Sequence, residues 1–215
     1  MKKTGARVAF TLVELLVTIS MVAILAALTL PAMNAARTLG DQSKAIANMR
    51  QIGSAIRLYA ADKNSQLPGP LWPGQVAEFD PARAGRLVRE IAPYLGLETP
   101  AKPVVMDLFV PPAYRRIMPA ASLSTSRTFV MNMAVSSGNS PINPWGSLAA
   151  NDGSGPMRLG NIPSTAWGFS DADRQHPRVV GASWAANTPT EPIHKKRLAW
   201  FFNGSVSPIE TTELQ

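Results

Sequence analysis

Glu14 is the sole charged residue between residues 10 and 36, inside an otherwise apolar run. An ionised acid at the centre of a membrane helix costs on the order of 2.5–3.5 kcal/mol on insertion scales, and such acids usually have a partner. A free amino group at the same depth is the partner that suits it. A second candidate is Ser170-Asp171-Ala172-Asp173, where Asp171 and Asp173 form a close carboxylate pair in what reads as a loop. Hard oxygens on a flexible loop suit calcium, but that ion takes roughly six to eight of them, so turn caps and solvated charges compete with a metal site. His176 and His194 are too few and too far apart to define a metal or catalytic centre. Trp200-Phe201-Phe202 beside Lys195, Lys196 and Arg197 could stack single-stranded nucleic acid. Aromatics also favour strands, so core packing is expected there and nucleic acid is not an expected partner. The chain has no Gly-rich phosphate loop, His-Glu zinc motif or Gly-x-Ser-x-Gly elbow, and the expectation is a protein without catalytic residues, not an enzyme.

The elements that must carry these residues begin with a leader. Residues 1–9 hold Lys2, Lys3 and Arg7 and no acid. As a helix the following 22 residues, 10–31, would span about 33 Å, close to the roughly 30 Å bilayer core. Positive charge stays on the cytoplasmic side, which places the N-terminus inside and the remainder outside. A cleaved secretory signal, with its small residues around Ala32 to Ala36, competes with this, but its apolar core would be only roughly 7–15 residues long. From Ala45 onward Met49, Ile52, Ile56 and Tyr59 recur at helical spacing with Lys44, Arg50, Arg57 and Asp62 elsewhere around the turn, giving one buried stripe. A single helix over residues 10–62 is expected, with Gly40 and Gly53 as weak points costing up to about 1 kcal/mol each relative to alanine.

Beyond Leu67 the texture changes, since of 19 prolines only Pro31 precedes it. Asp80-Pro81 reads as an N-cap and first helical position, with helix to residue 94 and Gly96 as the stop. Residues 127–135, 178–184 and 197–202 are β-branched or aromatic runs bounded by turn residues, as strands are. Asn203-Gly204 predicts a hairpin with residues 206–209 returning. Residues 141–163, rich in Asn, Gly, Ser and Pro, predict an exposed loop. The 215 residues suit one globular domain plus an extra element, and 46% hydrophobic against 16% charged content excludes wholesale disorder. The absence of cysteine excludes disulfides, thiolate metal sites and thiol nucleophiles. The basic residues behind the net charge of +7 are scattered, not gathered into a run.

Phe10-Thr11-Leu12-Val13-Glu14-Leu15-Leu16-Val17 behind a short basic leader resembles the class III signal of type IV pilins and type II secretion pseudopilins. The resemblance implies cleavage between Ala9 and Phe10 by a prepilin peptidase, N-methylation of Phe10, and Glu14 as the assembly residue that pairs with a neighbouring subunit's N-terminus. The family usually has glycine where Ala9 stands, so a small residue is kept. Pro31 resembles the proline that kinks or locally melts the family's long helix, and an internal proline does delete one backbone hydrogen bond. Near the other end, the stretch from His194 to Asn203-Gly204 is similar to a histidine, spacer and aspartate-glycine pattern found in a subgroup, with one fewer spacer residue and Asn203 for aspartate. G-type pseudopilins commonly hold calcium in a C-terminal loop, which Asp171 and Asp173 vaguely resemble.

The implied fold is α+β, pilin-like: a long N-terminal helix, half transmembrane and half amphipathic, packed on a small antiparallel β-sheet. The implied organisation is a leader at 1–9, a transmembrane and assembly helix at 10–36 and an extracytoplasmic domain at 37–215. Implied partners are the prepilin peptidase, other pilin-like subunits in a homo- or hetero-oligomeric filament, the inner membrane, and indirectly an assembly platform and ATPase. No cofactor is implied beyond calcium. The leading expectation is a type II secretion pseudopilin. A type IV pilus subunit for adhesion, motility or DNA uptake, and a non-assembling anchored binding domain, are the alternatives. Loss of Lys2, Lys3 and Arg7 would lower the net charge from +7 to +4.

Overall fold

The structure, a computed structural model, describes residues 11–97, 99–138, 140–148, 154–193 and 196–214. Helix α1 runs Leu12–Asp62 and matches the expected element at its C-terminal end. Asn64 and Ser65 there adopt positive φ, and the Ser65 N–H donates to the Ala60 carbonyl at 2.7 Å. That five-residue reach is the Schellman closure, with asparagine taking the left-handed position that glycine usually fills. Pro31 lies within the helix, which continues through it, and what Pro31 removes is one backbone donor. The chain divides into two compact units after Gly40. In the first unit the apolar side chains of α1 are exposed from Leu12 to Leu39.

The second unit is an α+β assembly in which the later part of α1 packs on an antiparallel sheet. Its strands β1 (Gly74–Val76), β4 (Arg127–Met131), β7 (Trp167–Asp171), β8 (Arg197–Phe201) and β9 (Val206–Ile209) lie in the order β1-β4-β7-β8-β9, every pair antiparallel. Two further pairs are small: β2 (Glu78–Phe79) with β3 (Val104–Val105), and β5 (Val135–Ser137) with β6 (Ser140–Ile142). The stripe Ala45, Met49, Ile52 and Ile56 meets Phe129, Phe169, Leu198, Trp200 and Phe202 in one buried core. Trp200 stacks on Phe169 with ring centroids 5.5 Å apart and meets Phe202 edge-on at 5.3 Å, so the aromatic run expected as core is core. The other sheet face is covered by Val179, Trp184 and Ala185 over Val130, and by Leu214 over Trp167 and Ala199.

The hairpin at Asn203-Gly204 forms as expected: Gly204 takes φ of 93°, and the Asn203 side chain accepts the Ser205 N–H at 2.8 Å. Other expectations are corrected. The helix expected over 81–94 is confined to α2 (Leu87–Ile91) and a 3-10 turn to Leu95, because Gly85 at φ 78° breaks the chain before it; Gly96 does provide the left-handed stop. Asp80 caps a turn through the Ala82 N–H, not a helix. Helix α3 (Tyr114–Ile117) is a single turn absent from the sequence reading. Residues 178–184 form turns, not a strand, since their backbone bonds close locally on His176 and Val179. Within 141–163, Trp145 is fully buried and donates to the Gly168 carbonyl at 3.2 Å, so part of that stretch is core.

Candidate functional site

The head of α1 is built by a reciprocal cap. The Thr11 N–H and hydroxyl both donate to Glu14 Oε2, at 2.9 and 2.8 Å, and the Glu14 N–H donates back to Thr11 Oγ1 at 3.2 Å. This is a capping box, Thr-x-x-Glu, which satisfies two N-terminal donors that a helix otherwise leaves open. Its signal lies in the sequence itself, as Thr11-Leu12-Val13-Glu14. Among the described residues Oε1 of Glu14 accepts no hydrogen bond, so half of the carboxylate stays available. Ala9 and Phe10, at the expected cleavage and methylation point, lie outside the described residues, as does His194.

Below Glu14 the helix is uncharged to residue 36. It is long and apolar enough to cross a membrane, and its hydroxyls close on their own backbone: Thr18 donates to Leu15, Ser20 to Leu16 and Thr29 to Ala26. Each such bond removes a polar group that hydrocarbon would leave unsatisfied.

The expected metal pair sits elsewhere, and not in an exposed loop. Asp171 ends β7 and both Asp171 and Asp173 are buried. Asp173 receives a two-pronged guanidinium: Arg197 Nε donates to Oδ2 at 2.6 Å and Nη2 to Oδ1 at 2.8 Å, while Arg197 Nη1 donates to Thr211 at 2.7 Å. Asp171 Oδ2 accepts the Leu198 N–H at 3.1 Å, and Oδ1 is buried without a hydrogen bond. Burial first, then the nearby Asp173 charge, push the Asp171 carboxyl up to about 7. These residues do not fit calcium. Both Asp173 oxygens already hold a cation, and among the described residues no group of three or more acidic, histidine or cysteine side chains comes together. Arg197 is the partner the sequence reading missed; lying 24 residues away, it left no local signal.

His176 joins this buried cluster as a hydrogen-bonded residue. Its Nδ1 accepts the Arg178 N–H at 3.0 Å, which leaves the proton on Nε2, 2.9 Å from Ser170 Oγ. Burial, then the charges of Arg197 and Arg178, lower it to about 3. A fully buried serine beside an imidazole whose other nitrogen is tied to backbone is not arranged to meet a substrate.

No family model, curated protein or solved structure matches this chain.

Proposed function

We propose that this chain is a pilin-like subunit, processed between Ala9 and Phe10, that assembles through α1 into the pseudopilus of a type II secretion system. Before assembly it resides in the inner membrane as a single-pass protein with its N-terminus cytoplasmic. The observation that carries the reading is Glu14: one charge at the head of a laterally exposed stretch of α1 that is otherwise uncharged to residue 36, with one carboxylate oxygen used by Thr11 and the other, among the described residues, open. In lipid that oxygen has no counter-charge. In a filament it meets the new amino group of a neighbour's Phe10, so two costly unpaired charges are removed together.

Mass spectrometry of the N-terminus, after expression with and without a prepilin peptidase, tests the processing step. Removal of residues 1–9 with methylated Phe10 supports it; an intact chain, or a cut near Ala35, supports an anchored or secreted monomer instead. Glu14→Ala then tests pairing: insertion is retained and filaments are lost or disordered, whereas normal filaments would refute the role of Glu14. Long surface fibres in place of short periplasmic ones would transfer the proposal to a type IV pilus.

A further inference from the structure

A cleft of about 650 Å³ opens beside β1, the edge strand of the main sheet, within the volume range of small-molecule sites. Arg83, Arg86 and Arg127 line it, with Trp72, Thr125 and Asn187. Two of the three cations are already answered. Arg86 Nη1 reaches Glu78 Oε2 at 2.7 Å, and Arg83 Nε lies 3.2 Å from Asp80 Oδ2. Arg127 is not: it donates Nη1 to the Thr125 carbonyl at 3.0 Å, its Nε is buried without a hydrogen bond, and among the described residues it has no acidic partner. Burial and then the charges of Arg86 and Arg83 lower its pKa, so an anion here would relieve a crowded, desolvated cation.

The cleft wall is held firmly. Buried Gln75 donates to the Gly85 carbonyl at 3.1 Å and accepts the Leu87 N–H at 2.6 Å, and the Trp72 N–H bonds the Gly85 carbonyl at 3.0 Å. Gly85 permits this approach, since a side chain there would strike Leu148 and Trp72. Trp72 is nonetheless 46% exposed, a large indole held at a polar, basic cleft by its backbone.

We infer that this cleft binds an acidic saccharide: its carboxylate meets Arg127 through Nη2, the guanidinium nitrogen that is neither buried nor bonded among the described residues, beside Arg86, its ring lies on the Trp72 indole, and its hydroxyls meet Ser124, Thr125 and Asn187. A guanidinium donates a strong charge-assisted hydrogen bond to a carboxylate, and an exposed indole supplies an apolar face with little entropy to lose. The inference is independent of the filament reading, because every residue lies in the second unit.

Calorimetric titration of the full chain in zwitterionic nanodiscs with trigalacturonate tests it. Maltotriose serves as the neutral match, and triglutamate and inorganic phosphate as charge-only competitors. Binding of trigalacturonate without maltotriose is expected, weakened about tenfold or more by Arg127→Gln and by Trp72→Ala and unchanged by Lys196→Gln, which lies outside the cleft. If Arg127→Gln fails to fold, Trp72→Ala decides, and it is expected to weaken binding. Absence of trigalacturonate binding overturns the inference. So does equal displacement by triglutamate or phosphate with Trp72→Ala unchanged, which would mark a patch that reads charge alone.

Discussion

Gly53→Ala is expected to destabilise the protein, although alanine at an interior helix position normally gains about 0.5–1 kcal/mol over glycine. A Cβ at residue 53 would sit 1.9 Å from Trp200 Nε1, 2.5 Å from Cδ1 and 2.6 Å from Cε2. Ordinary contact begins near 3.5 Å, so the indole would have to retreat by about 1.6 Å. It has nowhere to go. Trp200 is fully buried, stacked on Phe169 and edge-on to Phe202, and its six-membered ring already lies against Gly168, where a Cβ would be 2.8 Å from Cε3 and Cζ3. Overpacking of this kind costs about 1–3 kcal/mol or more and outweighs the gain in helix propensity. At about 2–4 °C per kcal/mol for a chain of this size, Tm should fall by several degrees. The control is Gly40→Ala on the same helix, where nothing lies within 4 Å and the change should be neutral or stabilising. Thermal unfolding of both variants in the same nanodiscs is the assay. On a Trp200→Phe background the penalty of Gly53→Ala should shrink, because the two sites are coupled. A Gly53→Ala variant as stable as Gly40→Ala would refute the close packing argued here.

Asp173→Asn should cost about 3–5 kcal/mol in chemical unfolding, because it strands Arg197, only 3% exposed, without its carboxylate; a loss below about 1 kcal/mol would show the pair to be dispensable. Asp171 and His176 should tilt the pH profile in opposite senses. Asp171, held at about 7 against an ordinary 3.8, keeps its proton in the fold after the unfolded chain has released it, so its contribution is lost as pH rises from about 4 to about 7. His176, at about 3 against 6.5, stays neutral while the unfolded chain gains a proton, so its contribution is lost as pH falls from about 6.5 to about 3. Between about pH 4 and 6.5 the two slopes oppose, each up to about 1.4 kcal/mol per pH unit. Asp171→Asn should therefore make acid more destabilising than in the wild type and His176→Gln less so, read from denaturation midpoints across that range; identical profiles for all three would refute the opposition.

The long helix was legible because its signals are local and repeated. An uncharged run, then a stripe at Ala45, Met49, Ile52 and Ile56, specifies both its parts, and the hairpin at Asn203-Gly204 follows from two adjacent residues. The strands β1 and β7 were not read. Gly74–Val76 is too short for period-two alternation, and Trp167–Asp171 is buried at every position because helix covers one face and loop the other. Such a strand looks like any short apolar segment. Residues 178–184 failed in the opposite direction: Val179 and Val180 suggest a strand, but Pro177 and Gly181 bracket too short a run, and their amides close on His176.

Gly53 and Asp173 share one cause of illegibility. Each residue's meaning is set by a partner on β8, Trp200 for the glycine and Arg197 for the aspartate, more than a hundred residues away in one case and 24 in the other. Locally, a helix glycine reads as a weak point and two near-adjacent carboxylates read as open ligands. Across the fold, the first becomes the slot that admits an indole and the second the counter-charge that allows an arginine to be buried. Glu14 differs because its partner in the monomer, Thr11, lies three residues away and its capping bonds are complete without the rest of the fold. Under the proposed assembly its remaining oxygen is what a second chain would meet, and substitution there should change assembly while leaving the folded second unit intact.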